Sequence, residues 1–167
     1  GKAVKEAYDT SGIVTNDRGI TVWLKGNRVS RNQIMAIKEE SVTEQKNSLA
    51  VCLDNILRHA GITRNTEYDL AQGKTAIEIL SENMTGVQVL ELSGCSLDAV
   101  LYYVNQDIPV LAILENGEAV LVTGFNEFNV VIMEPSTGKL YKKGMNDATT
   151  WFAENGNHFV TYMKMEN

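Results

Sequence analysis

The sequence predicts an α+β domain in which N-terminal helices pack on an antiparallel sheet, and three patterns carry that expectation. Residues 47–62 place Leu49, Cys52, Leu53, Ile56, Leu57 and Ala60 at i, i+3, i+4, i+7, i+8 and i+11, the apolar stripe of a helix with one buried face. Leu97, Val100, Leu101 and Val104 repeat the helical spacing. From residue 108 the chain becomes strand-like, in runs divided by short turn-forming segments as in an antiparallel meander.

Taken in order, Gly12–Thr15 and Gly19–Leu24 read as short strands of a hairpin, with Asn16, Asp17 and Arg18 supplying the turn. Residues 28–38 fit a strand or a short helix. Asn47 or Ser48 stands where a side chain accepts a first-turn N–H, and Gly61 stands where a left-handed residue ends a helix. Thr66–Gln72 reads as a helical turn. Thr75 caps a short helix bearing Ile77, Ile79 and Leu80, and Val87–Leu92 alternates as a strand. Ser96 caps the helix running to Asn105. Ile108–Leu114, Glu118–Phe125, Asn129–Glu134 and Lys139–Lys142 are the meander strands. Asn146 or Asp147 opens a helix through Trp151 and Phe152, and Phe159–Met163 is the last strand. Residues 1–40 read as a β-rich extension or the end of a preceding module, and 41–167 as the main domain.

Composition narrows the function classes. A chain of 167 residues with 44% hydrophobic content has enough apolar material for one core. Its net charge of -6 argues against nucleic acid, because phosphate binding needs a basic face. The apolar runs fall far short of the roughly 20 residues a membrane helix requires, so no membrane insertion is expected. Two cysteines and two histidines without a CxxC pattern give neither a disulfide framework nor metal-ligand spacing, and no metal or cofactor is expected. The opening Gly1-Lys2-Ala3-Val4 has neither an initiating Met nor a signal segment, which predicts a piece of a longer protein; localisation is not readable directly from it, and an extracellular or cell-surface fragment is only suspected.

Ser48–Ile62 together with Ile108–Gly138 resembles the papain-like cysteine peptidases, and more narrowly the bacteriocin-leader-processing peptidases and their bacterial relatives. In that family the helix opens Cys-Gly-Pro-Ala and ends at a Gly thirteen positions after the nucleophile; counting back from Gly61 gives Ser48. The family's general base opens a strand of the form His-x-Val-Val-x-x-Gly-Tyr, and the matching stretch here is Glu118 to Phe125. Its orienting Asp belongs to an Asp-Pro-x-x-Gly turn, which here reads Glu134-Pro135-Ser136-Thr137-Gly138. The oxyanion Gln would fall near Val42, with Gln45 close by. The resemblance implies a papain-like fold over residues 41–163 and no intact catalytic set: Ser48, Glu118 and Glu134 are vestigial positions.

A cysteine peptidase needs a thiolate stabilised by an imidazolium that later protonates the leaving amine. Ser48 is a poor nucleophile without a base beside it, and an ionised Glu118 would repel an oxyanion. Cys52 does not replace the nucleophile, because it lies in the apolar stripe and about 10 Å along the helix from His59. His59 and His158 read as surface residues, and Trp23 and Trp151 as core anchors. Whether Glu118 and Glu134 share a sheet face depends on register: a plain turn at residues 126–129 separates them, a bulge or an odd-length loop unites them. The resulting expectation is a peptidase-like domain without peptidase chemistry, binding an extended peptide or serving a structural role in a larger bacterial protein. An active hydrolase using Ser48 with a carboxylate and a purely architectural surface domain are the alternatives.

Overall fold

The structure, a computed structural model, describes residues 47–165 and, before them, the backbone of two short strands. These strands, β1 (Val14–Asn16) and β2 (Gly19–Val22), pair antiparallel as the expected hairpin. Residues 28–38, Trp23, Val42 and Gln45 lie outside the described residues.

Helix α1 (Ser48–His59) forms where the apolar stripe predicts it. Asn47 is its N-cap, accepting at Oδ1 from the Leu49 and Ala50 amides at 2.8 and 3.3 Å. At the other end Gly61 takes φ +86°, its N–H reaches the Arg58 carbonyl, and the Ile62 N–H reaches the Leu57 carbonyl. That pair of bonds is a Schellman cap, which satisfies carbonyls the helix leaves open. α2 (Thr66–Ala71) is tied back to α1 by Thr66, whose Oγ1 donates to Asp54 Oδ1 at 2.7 Å. α3 (Ala76–Asn83) begins in a capping box formed by Thr75 and Glu78. α4 (Leu97–Val104) is capped by Ser96 as expected.

Six strands make one sheet: β3 (Val87–Glu91), β4 (Val110–Ile113), β5 (Ala119–Phe125), β6 (Asn129–Glu134), β7 (Lys139–Gly144) and β8 (His158–Lys164). All pairings are antiparallel, and the spatial order is β3-β8-β4-β5-β6-β7. The meander from β4 to β7 follows the sequence expectation, whereas β8 inserts between β3 and β4. The expected cap at Asn146 or Asp147 is corrected: α5 (Met145–Glu154) starts directly from β7 with Gly144 at the cap position and no side-chain cap bond.

Alternation along the strands sorts the core into two layers. Cys52, Leu53, Ile56, Ile79 and Leu80 of α1 and α3 pack on Leu111, Leu121, Met133 and Val160. On the opposite face, Val100, Val104 and Phe152 of α4 and α5 pack on Val122, Ile132 and Phe159. Phe152 and Phe159 meet edge to face, with ring centroids 5.4 Å apart.

Candidate functional site

The N-terminus of α1 lies against the start of β5. Ser48 is the first residue of the helix, and its Oγ accepts a hydrogen bond from the backbone N–H of Ala119 at 2.9 Å. Two residues 71 positions apart are thereby joined, and Glu118 is the immediate neighbour of the strand residue that Ser48 holds. Asn47, not Ser48, is the helix cap. With Oδ1 of Asn47 taking the Leu49 and Ala50 amides and its carbonyl taking the Val51 amide at 3.1 Å, these first-turn N–H groups are occupied. A helix N-terminus binds an anion through N–H groups left open, and here these three are satisfied within the chain.

Glu118 is solvent-exposed, and its backbone N–H donates to Asn116 Oδ1 at 2.9 Å. Glu134 is half-buried at the end of β6. Its Oε2 accepts from the amide and the hydroxyl of Ser136, at 3.3 and 2.9 Å, so the carboxylate is turned onto its own loop. That loop closes through a Gly138 N–H bond to the Glu134 carbonyl at 2.8 Å, with Gly138 at φ +78°. Among the described residues no hydrogen bond joins Ser48 to either carboxylate.

The register question has an answer in the ladder. Phe125 pairs with Val130, the plain connection, but Val122 pairs with Ile132 while Gly124 pairs with Val131, leaving Thr123 as an extra residue in β5. The bulge shifts the first half of β5 by one step. Continuing the Leu121–Met133 pairing by one residue sets Glu134 opposite Val120, so the Glu118 and Glu134 positions lie on the same sheet face.

Cys52 is fully buried beneath this end of the sheet. Burial pushes its thiol well above the ordinary thiol range, and the Glu134 carboxylate adds to the rise. Such a thiol is protonated at neutral pH and inert as a nucleophile. Cys95, the other free thiol, is half-buried against the α4–α5 core layer.

Both histidines are at least partly exposed, as expected of surface residues, and each makes a hydrogen bond. His59 is half-buried at the far end of α1, where its Nε2–H donates to the Asp107 carbonyl at 2.9 Å. His158 is exposed but has Nδ1 2.9 Å from Ser93 Oγ, and Ser93 also donates to Glu91. His158 and Ala119 both pair with Ile113, so two strand spacings, roughly 10 Å, separate them across the sheet. Ser93 lies beyond the β3 side of β8, which turns the His158 ring away from Ser48. The Glu91–Ser93–His158 chain went unseen in the sequence, because β3 and β8 meet across 65 positions with no local signal. Trp151 is half-buried, flanked by Phe152 at 5.0 Å and by the Lys143 ammonium at 4.8 Å from its ring.

Among the described residues no helix is long and apolar enough to cross a membrane, and no cluster of three or more His, Cys, Asp or Glu side chains is placed to hold a metal. No protein-family model and no curated protein matches the chain. Among solved structures, it is similar to a protein from Bacillus anthracis assigned as a C39-like peptidase, with a TM-score of 0.69 over 83% of this chain and 100% of that one at 13% identity. The chain therefore has the mixed helix and antiparallel-sheet architecture of a C39-like peptidase.

Proposed function

We propose that the chain is a peptidase-like domain without peptidase chemistry, which holds an extended peptide segment where α1 meets β5. The observation that carries this reading is the hydrogen bond at Ser48. A hydroxyl acting as nucleophile has to give its proton to a base; Ser48 Oγ accepts from the Ala119 amide, and among the described residues no carboxylate or imidazole takes its proton. Two further features agree. Asn47 occupies the amides at the helix start, and each histidine among the described residues is engaged elsewhere. On the resemblance to the papain-like peptidases, the place where α1 meets β5 is the one at which an extended segment would dock, here without being cut. The vestigial set under this proposal is Ser48, Glu118 and Glu134, in a module of a larger bacterial protein.

The experiment is exposure of the purified chain to a peptide library with and without iodoacetamide, read by mass spectrometry. The expected outcome is an uncut library in both arms. NMR titration with pooled library peptides is expected to shift the Leu49 and Ala119 amides. Cleavage abolished by alkylation would overturn the reading, and cleavage insensitive to alkylation but lost in Ser48→Ala would favour the hydrolase alternative.

A further inference from the structure

The sheet ends on one side in β7 and on the other in β3, and the two edges are built differently. Along β7 stand Lys139, Lys142 and Lys143, and charged side chains of this kind discourage another strand from pairing there. β3 reads Val87-Gln88-Val89-Leu90-Glu91, carries one charge, and pairs with β8 over its whole length without a bulge. Its ladder fixes which backbone groups look outward. The Leu92 N–H reaches the Phe159 carbonyl and the Met165 N–H reaches the Gly86 carbonyl. By antiparallel alternation Gln88 and Leu90 then exchange bonds with β8, while Val87, Val89 and Glu91 turn their N–H and C=O groups to the open edge. Among the described residues nothing bonds those groups. Such a row is a template for one more strand.

We propose that the β3 edge is the interface with a second copy of this chain, the two sheets joining antiparallel about a two-fold axis at Val89. The order of the residues is what selects a second copy. With Val89 opposite Val89 of the other copy, Val87 falls opposite Glu91 and Glu91 opposite Val87, so every outward residue meets an outward residue and each pair exchanges both its bonds. The side chains match as well. On the face that carries α1 and α3, Glu91 of one copy stands beside Val87 of the other, and the next residue in that row is Lys164, the β8 partner of Val87. Two strand spacings, roughly 10 Å, separate the two backbones there, a gap that a glutamate and a lysine reaching towards each other over a valine can close. Both are exposed, and neither has an ion pair among the described residues. Within one copy Glu91 pairs with Val160 and not with Lys164, so the two meet only across the dimer. On the opposite sheet face half-buried Leu90 falls opposite Gln88 of the other copy and diagonal to its Leu90. The acidic residues of α3, which packs on β3, are engaged within their own copy, Glu82 by Lys74 and Glu78 by the Thr75 amide. β8 and β4 lie between this edge and β5, so the dimer leaves the Ser48 end open and does not depend on the function assigned there.

The test is sedimentation equilibrium of the 167-residue chain from about 10 µM to about 1 mM, a range suited to the weak association expected of an edge-to-edge join. The average mass is expected to rise towards twice that of the monomer, with the Val87, Val89 and Glu91 amides exchanging more slowly as concentration rises. Val89→Pro removes an N–H that faces the open edge and none that β8 uses. It is expected to weaken dimerisation by about tenfold or more, with hydrogen exchange at Leu90 and Met163 unchanged. Glu91→Lys and Lys164→Glu are each expected to weaken it several-fold, and the two together to restore it. A chain still monomeric at about 1 mM overturns the proposal, including one whose Val89 amide is protected only when an extended peptide is added. A dimer indifferent to Val89→Pro overturns it as well, as does a double charge variant no tighter than the single ones.

Discussion

Cys52 shows how a residue read correctly as core still gains meaning from its surroundings. The apolar spacing of 47–62 put it inside, and it is fully buried between Leu49, Leu53 and Ile56. Replacing the thiol by a hydroxyl puts a stronger hydrogen-bonding group where the walls are apolar. Cys52→Ser is expected to cost roughly 1 to 3 kcal/mol in a urea titration. Native Cys52 should react with a thiol reagent only as fast as the protein unfolds; labelling at the rate of free cysteine would show that the facing of α1 is wrong. What the sequence concealed at this scale was polar geometry. The cap fell to Asn47 or Ser48 equally by residue type, and only the fold shows that Asn47 takes the amides while Ser48 reaches Ala119. The hydrogen bond of His59 was hidden as well, because its partner, a carbonyl 48 positions away, leaves no mark on local composition.

At the level of elements, helical periodicity was legible and sheet order was not. α1, α3 and α4 follow from stripes and caps, and the β4–β7 meander follows from turns between runs. The place of β8 between β3 and β4 depends on two distant pairings that no local pattern records. The joint between α1 and β5 was anticipated only through resemblance, since Ser48 and Ala119 share no motif. Removing its side-chain acceptor tests how much that joint holds. Ser48→Ala leaves the part-buried Ala119 N–H without its acceptor, and a loss of about 1 kcal/mol is expected. The more specific readout is faster hydrogen exchange at Ala119, with exchange in α1 beyond its first turn unchanged. An unaltered Ala119 exchange rate would mean that the joint does not hold the strand.

Over the whole molecule, stability is divided between two core layers on either side of one sheet, and an ion pair bears on its response to acid. Arg64 donates twice to Asp69, at 2.8 and 2.7 Å. The Asp69 carboxyl is held below its usual range, chiefly by the side-chain hydrogen bond from Arg64 and further by its charge. A depressed folded pKa adds stability above the unfolded value of about 3.9, and that stability is lost as pH falls through the folded value. Asp69→Asn is therefore expected to lower the urea midpoint at neutral pH, with the gap to wild type closing as pH drops below about 4. A gap constant across that range would show that the pair does not titrate with folding. The extra residue at Thr123 bears on the same two-layer plan in a different way. Because β5 takes one residue more than β6 needs there, the strand's two halves would be out of phase if each residue advanced the ladder by one step. Thr123 is thus a position where β5 can change length without exchanging its faces: deleting it would restore one-to-one pairing with Val120, Val122 and Phe125 still on one side and Leu121 on the other. Deleting Leu121 instead would turn the segment before it inside out. The shortened chain lacking Thr123 is expected to fold cooperatively, and the one lacking Leu121 is not, an outcome that near-ultraviolet circular dichroism and urea titration would separate.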